Sequence, residues 1–69
     1  MNGRELRRQV IESMREYMAP DSAPITNKVS MISGLLIYAA RANILSCSQY
    51  KRLTRVKNNF LKENRDEKA

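Results

Sequence analysis

Apolar residues recur at helical spacing in three stretches of the chain. The first stretch carries a single stripe made of Leu6, Val10, Ile11, Met14, Tyr17 and Met18. Charged residues occupy the opposite side, which is the pattern of an amphipathic helix with one buried face. We therefore predict a first helix over residues 3–18, with Asn2 and Glu5 forming a capping box at its start. The segment 19–24, APDSAP, is rich in Pro and connects this helix to the next.

The second stretch is apolar nearly all round and predicts a helix over residues 27–42, with Thr26 as its N-cap. A helix without a solvated face sits between two others or lies against another chain. Gly34 inside it costs about 1 kcal/mol relative to Ala, which close approach of a neighbouring helix would offset. The charge-free run 29–40 is shorter than the roughly 20 residues that span a membrane, so we expect a core helix and no membrane contact.

A short corner joins the second stretch to the third. Asn43 tolerates the left-handed conformation that ends many helices, and Ile44 can then fold back on the last turn. Ser46 and Gln49 have the spacing of a capping box, with Leu45 before the cap and Tyr50 after it as a hydrophobic staple. We predict that a third helix begins directly behind Ser46.

The third helix is predicted over residues 47–62, followed by a frayed polar tail over 63–69. Its inward face is predicted to consist of Tyr50, Leu53, Val56, Phe60 and Leu61. At 100° per residue, the opposite arc consists of Ser48, Lys51, Arg52, Arg55, Asn59 and Lys62. Lys57 projects from the apolar side, where it can snorkel, pair with a Glu of the first helix, or mark a partner surface. The pattern as a whole predicts an all-α, three-helix bundle with the second helix central, in one domain over residues 1–62.

Composition narrows the classes of function. The chain has 69 residues, no His and one Cys, so it has a thin core and no internal disulfide. The absence of His and the single Cys exclude the common zinc motifs and His-based catalysis. We find no catalytic signature, and we expect a non-enzymatic protein without cofactor, metal or small-molecule substrate. A single thiol suits a reducing cytoplasm.

Charge is concentrated in one region of the chain. The net charge is +6, and residues 22–62 contain seven bases and no acid, five of the bases in the third helix. A face of one sign can neutralise phosphates, so we predict that the outer arc of that helix contacts nucleic acid, with DNA favoured over RNA. The chain would then be a small regulatory protein. We include a homodimer in this prediction, because an apolar second helix can lie against another chain.

Two other readings of the same arc stay open. The first is a protein-binding adaptor or inhibitor of bacterial or mobile-element origin, phage included, whose basic face docks on an acidic partner. The second is a charged outer face that only keeps a small helix solvated. A face that is only solvated usually carries charges of both signs, as the first helix does. The arc of the third helix carries positive charges only.

The second and third predicted helices resemble two known helical motifs. In DNA-binding helix-turn-helix units, the second helix enters the major groove, and Ala39 and Asn43 match the small residue and the turn of that pattern. Tyr50 and Leu53 carry its later apolar positions one residue late. Residues 35–61 also resemble a SHOCT (short C-terminal) type of helical hairpin, through a Leu-rich helix, Asn43-Ile44-Leu45-Ser46, and a Leu-bearing second helix. Asn43 stands where that hairpin usually has Gly. The SHOCT-type resemblance implies association with another protein or with a second copy rather than catalysis.

Overall fold

A computed structural model describes residues 3–21 and 23–66, with side chains as far as residue 64. Three helices make up the fold: α1 over Gly3–Met18, α2 over Ile25–Arg41 and α3 over Cys47–Asp66. No strand occurs in this part of the chain. The predicted all-α class and the three elements are confirmed. The predicted cap at Asn2 lies outside the described residues.

The second helix is central, as predicted, because α1 and α3 each pack on α2 and meet one another only marginally. The Cα positions span 42 × 21 × 14 Å, so the three helices form a small bundle that is flattened into a slab. A slab leaves the outer surface of its middle helix uncovered. This geometry decides which side chains of α2 are buried.

The core is small and lies along both sides of α2. It consists of Val10, Met14, Ile32, Leu36, Ala39 and Leu45. Ile32 and Leu36 are its two largest fully buried side chains. Burial of a Val, Leu, Ile or Met side chain contributes about 1.5–3 kcal/mol, so a core of this size supports the fold with little margin.

The corner between α2 and α3 has the predicted construction. Asn43 adopts a left-handed conformation with φ of 61°. The Ile44 N–H donates to the Ala39 carbonyl at 2.8 Å, and the Asn43 N–H donates to the Ala40 carbonyl at 3.2 Å. This pair of bonds satisfies carbonyls that the end of a helix otherwise leaves open. The direction of α3 relative to α2 is therefore specified by the corner itself.

The start of α3 is closed by the predicted capping box. The Ser46 N–H donates to Gln49 Oε1 at 2.8 Å, and the Gln49 N–H donates to Ser46 Oγ at 3.2 Å. Leu45 is buried in the core, and Tyr50 packs against it from the first turn of α3. The hydrophobic contacts and the reciprocal bonds together hold the first turn of α3 against the core.

Three helix boundaries differ from the prediction, the end of α2 by a single residue, since that helix ends at Arg41 and not at residue 42. Thr26 was predicted to cap α2, but the helix begins at Ile25 behind Pro24, whose carbonyl accepts from both Asn27 and Lys28 N–H. Pro24 carries no side-chain cap, yet its fixed φ of −59° orients the chain into the helix. At the other end α3 continues to Asp66, four residues past the predicted end. Residues 67–69 of the predicted tail lie outside the described residues.

Gly34 has no close neighbour, which contradicts the predicted helix contact. A Cβ at this position would meet nothing within 4 Å. Met31, Ile37 and Tyr38 surround it on the same face and are 54%, 45% and 65% exposed. The second helix lies between two others, as expected, yet one face of it stays exposed, because a middle helix in a slab has neighbours on two sides only.

Candidate nucleic-acid interface

The six residues predicted to contact nucleic acid are all exposed along α3. They are Ser48, Lys51, Arg52, Arg55, Asn59 and Lys62, and we call this arc the basic ridge. Its ends lie fourteen positions apart in the sequence, which corresponds to about 21 Å along the helix axis. The ion pairs described, Arg8–Glu12 and Lys28–Asp21, involve none of its four bases. The ridge is therefore one continuous cationic surface.

The ridge faces outward because the opposite side of α3 packs on α2. Tyr50, Leu53 and Phe60 lie against the core at spacings of three and seven residues. Val56 was predicted to belong to this inward face, but it is 39% exposed. At 100° per residue Val56 falls at the edge of the inward face, and Lys57 falls near its middle.

Lys57 lies between α3 and α2. The sequence had left three roles open for this side chain. It is half-buried, and its Nζ donates to Ser33 Oγ at 3.2 Å. The stem packs along the helix interface while the ammonium reaches a hydroxyl on α2. Its charge is thus directed away from the ridge and toward α2.

Lys28 has an internal role that sequence reasoning did not foresee. It was counted in the acid-free run, but it is 9% exposed and is bound internally. Its Nζ donates to the Ala19 carbonyl and to Asp21 Oδ1, both at 2.8 Å. The loop between α1 and α2 is tied to α2 through this ammonium. Asp21, seven residues before Lys28, was the available signal.

The contact with Lys28 lowers the pKa of the Asp21 carboxyl. The hydrogen bond from the Lys28 ammonium, with a further bond from the Ala23 N–H, holds the pKa of the Asp21 carboxyl below its ordinary value. Both donors favour the ionised carboxylate over the neutral acid. Lys28 is therefore neutralised within the fold, and the exposed positive charge of the 22–62 region is smaller than the residue count indicates.

A family model matches residues 9–67, which include α2, α3 and the whole ridge. The chain belongs to the DUF2853 family, described as proteins of unknown function. No curated protein and no solved structure matches it. The SHOCT-type resemblance of residues 35–61 therefore stays a prediction.

Other site chemistries find little support in the described part of this DUF2853 chain. It contains no group of three or more His, Cys, Asp or Glu side chains that could hold a metal ion. Cys47 is an exposed free thiol in the first turn of α3. None of the helices described is long and apolar enough to cross a bilayer. The basic ridge is an exposed surface of one sign in this part of the fold.

Proposed function

We propose that this protein is a small, non-enzymatic regulatory protein that contacts nucleic acid through the basic ridge. The observation that carries the proposal is the exposure of Lys51, Arg52, Arg55 and Lys62 along one face of α3. No acidic residue lies between Ser48 and Lys62 in the sequence. Such a face attracts polyanions and releases their counterions on contact.

The shape of the ridge favours duplex DNA over RNA. An isolated helix face about 21 Å long fits the major groove of B-form DNA, whereas the major groove of A-form RNA is too narrow for side chains to read. Arg and Lys would hold phosphates. Asn59 and Ser48 lie among them and carry the amide and hydroxyl that pair with base edges. The ridge has no aromatic residue, so single strands have nothing on it to stack against.

A homodimer is part of the proposal. Four bases are fewer than the roughly six to ten phosphate contacts of a strongly salt-dependent DNA binder, and two copies would double the number. Met31, Ile37 and Tyr38 form an exposed apolar face around the open Gly34. This face carries no charge, so two copies with a net charge of +6 could meet there with little repulsion.

The salt dependence of duplex binding tests the ridge. Anisotropy of a labelled 20-base-pair duplex, measured between 50 and 200 mM salt, should give a log–log slope of about −3.6 per chain. Affinity would then fall roughly 150-fold over that range. The double variant Arg52→Ala with Arg55→Ala should halve the slope while its circular dichroism stays unchanged.

A matched control removes the same charge elsewhere. Arg4→Ala with Arg15→Ala takes two exposed guanidiniums from α1 and should leave the slope near the wild-type value. Equal losses in both double variants would mean that binding follows net charge alone, and the ridge would have no special part. Absent binding to duplex, single-stranded DNA and RNA at 50 mM salt would end the proposal.

The second candidate is an adaptor or inhibitor that docks its ridge on an acidic protein surface. The shortness of the ridge favours it, since four bases match a protein patch as well as a DNA site. Capture from a nuclease-treated lysate separates the two candidates. A purified partner that survives nuclease and is lost with Arg52→Ala and Arg55→Ala would favour the adaptor. Partners that disappear with nuclease would favour nucleic acid.

Dimerisation is tested separately by sedimentation velocity over a concentration series. Tyr38→Glu places a charge in the middle of the exposed apolar face of α2. The variant should stay monomeric at concentrations where the wild type associates. A wild-type chain that remains monomeric throughout the series would remove the dimer from the proposal and leave the ridge unaffected.

A further inference from the structure

An open groove lies between α1 and α3, beside the corner that joins α2 to α3. Its volume is about 120 Å³, and its surface is mainly apolar. Ile11 of α1, Leu45 of the corner and Leu53 of α3 supply the apolar lining, and the remaining lining residues are Arg7, Gln49 and Arg52. The groove stays open because α1 and α3 meet only marginally. We call it the α1–α3 groove.

Val56 extends the apolar lining of the groove along α3. It is 39% exposed, and it lies one helical turn beyond Arg52 on the side of α3 that also carries Gln49. A single exposed Val is ordinary on a protein surface, but this one adjoins an open groove with an aliphatic floor. The apolar strip therefore continues past the groove toward the middle of α3.

The charges of α1 are separated onto two sides of the helix. At about 100° per residue, its arginines fall on the side that carries Ile11 and borders the groove. These arginines are Arg4, Arg7, Arg8 and Arg15. The acids fall on the outer side of α1, away from α3, and they are Glu5, Glu12 and Glu16. The balanced net charge of α1 thus conceals a basic flank beside the groove.

The flank on α3 is basic as well. Arg52 is exposed at the edge of the groove, and no acid occurs between Ser48 and Lys62. A segment laid in the groove would have Arg4 and Arg15 on one side and Arg52 on the other. Acidic side chains would be attracted along both edges, whereas basic ones would be repelled.

We propose that the α1–α3 groove binds an acidic amphipathic helix of a partner protein, with one aliphatic side chain of that helix in the apolar part of the groove. In this helix-in-groove mode, apolar anchors supply affinity and flanking charges supply orientation. The volume of about 120 Å³ is close to the roughly 150 Å³ of a cavity that holds benzene, so it admits a Leu side chain. It is far below the roughly 300–1,000 Å³ of small-molecule pockets.

The docked helix would pack against α1 and α3 and become the fourth helix of a bundle. The groove shares only Arg52 with the basic ridge. The proposal therefore goes beyond nucleic-acid binding and does not depend on it.

A designed peptide is the probe for this site. It has about 15 Ala-rich residues, a length at which isolated helices begin to form, with one central Leu and Glu three and four positions to either side. In ¹H–¹³C spectra the Ile11 methyl group, assigned by its loss in Ile11→Val, should shift saturably on addition of the peptide. The methyl group of Ile37, exposed on α2, should not shift. An unmoved Ile11 methyl group would overturn the site.

The central Leu of the peptide tests the apolar anchor. Anisotropy of the labelled peptide should show a loss of affinity of about tenfold or more when this Leu is replaced by Ala, because less apolar surface is buried. Equal affinity of the two peptides would mean that binding is electrostatic only and would overturn the groove. An Ile11 shift that depends on protein concentration without peptide would assign the groove to a second copy and overturn the peptide site.

Val56→Glu tests the apolar strip on the protein itself. Because Val56 is partly exposed, the fold should tolerate the change, and circular dichroism checks this. The new carboxylate beside the groove should weaken binding of the acidic peptide by about tenfold or more. Asn58→Glu adds the same charge at an exposed position on the other side of α3 and should weaken binding by about threefold or less. Equal losses in the two variants would overturn the site.

A pair of double variants tests the basic flank and separates it from the ridge. Arg4→Ala with Arg15→Ala should weaken peptide binding by about fivefold or more, although it leaves the salt slope of duplex binding unchanged. Lys51→Ala with Lys62→Ala removes the same charge from the ridge and should have the opposite pattern. Equal loss of peptide binding in both would mean that binding follows net charge, which overturns the groove.

Duplex DNA completes the test. A duplex that shifts the Ile11 methyl group and displaces the peptide would make the groove part of the nucleic-acid interface and overturn the peptide site. Peptide binding without duplex binding would uphold the groove and refute the proposed function. Duplex binding without peptide binding would refute the groove alone.

Discussion

Replacing Gly34 with Ala tests the slab geometry directly. A glycine inside a helix is destabilising by about 0.5–1 kcal/mol relative to Ala, mainly because the unfolded chain loses more freedom on folding. A Cβ here meets nothing within 4 Å, and the backbone angles of Gly34 are those of an ordinary helix. No steric cost offsets the gain. We expect Gly34→Ala to stabilise the monomer by close to 1 kcal/mol.

The effect is large enough to measure in a chain of this size. For a domain of 60–100 residues, 1 kcal/mol corresponds to a rise in Tm of about 4–8 °C. Urea denaturation followed by circular dichroism at low micromolar concentration gives the free energy of unfolding. Ser30→Ala, on the same exposed side of α2, is the matched control and should gain only a few tenths of a kcal/mol.

A neutral or destabilising Gly34→Ala at the lowest concentration would refute this reasoning. It would mean that another segment of the chain approaches Gly34, as the sequence had led us to expect. A gain that is present in dilute solution and disappears at high concentration has a different meaning. A second copy would then be packing on the same face, which is the dimer contact proposed above.

Three further predictions concern the loop and the corner. Asp21→Asn should remove a pH-dependent part of the stability, as acid denaturation followed by circular dichroism will show. Because the pKa of Asp21 is lowered in the folded state, its contribution is fully present above the unfolded pKa of about 3.9. The wild-type protein loses this contribution as the pH falls through the folded pKa. Asn43→Val should cost about 1–2 kcal/mol in urea denaturation because a β-branched residue resists the left-handed conformation, whereas Asn43→Gly should cost nothing. Ser46→Ala should cost about 1 kcal/mol in the same assay by opening the capping box, and an unchanged midpoint would show that the box adds nothing.

Local features of this protein were readable from the sequence alone. The extent of α1, the left-handed Asn43, the box between Ser46 and Gln49, and the outward arc of α3 were all predicted and are present. Each depends on residues within about five positions of one another. Helical periodicity and capping chemistry act over that distance, so neighbours in the sequence suffice to specify them.

Contacts between helices required the tertiary structure. The sequence did not show that Lys28 is bound internally, placed Val56 on the inward face of α3, and gave Gly34 a neighbour that it lacks. Which side of a helix is covered depends on how the helices are arranged around α2, and no residue of α2 encodes that arrangement by itself. The sequence determined the helices and the charge of the ridge, whereas the packing of three helices into a slab decided which charges and apolar residues reach the solvent.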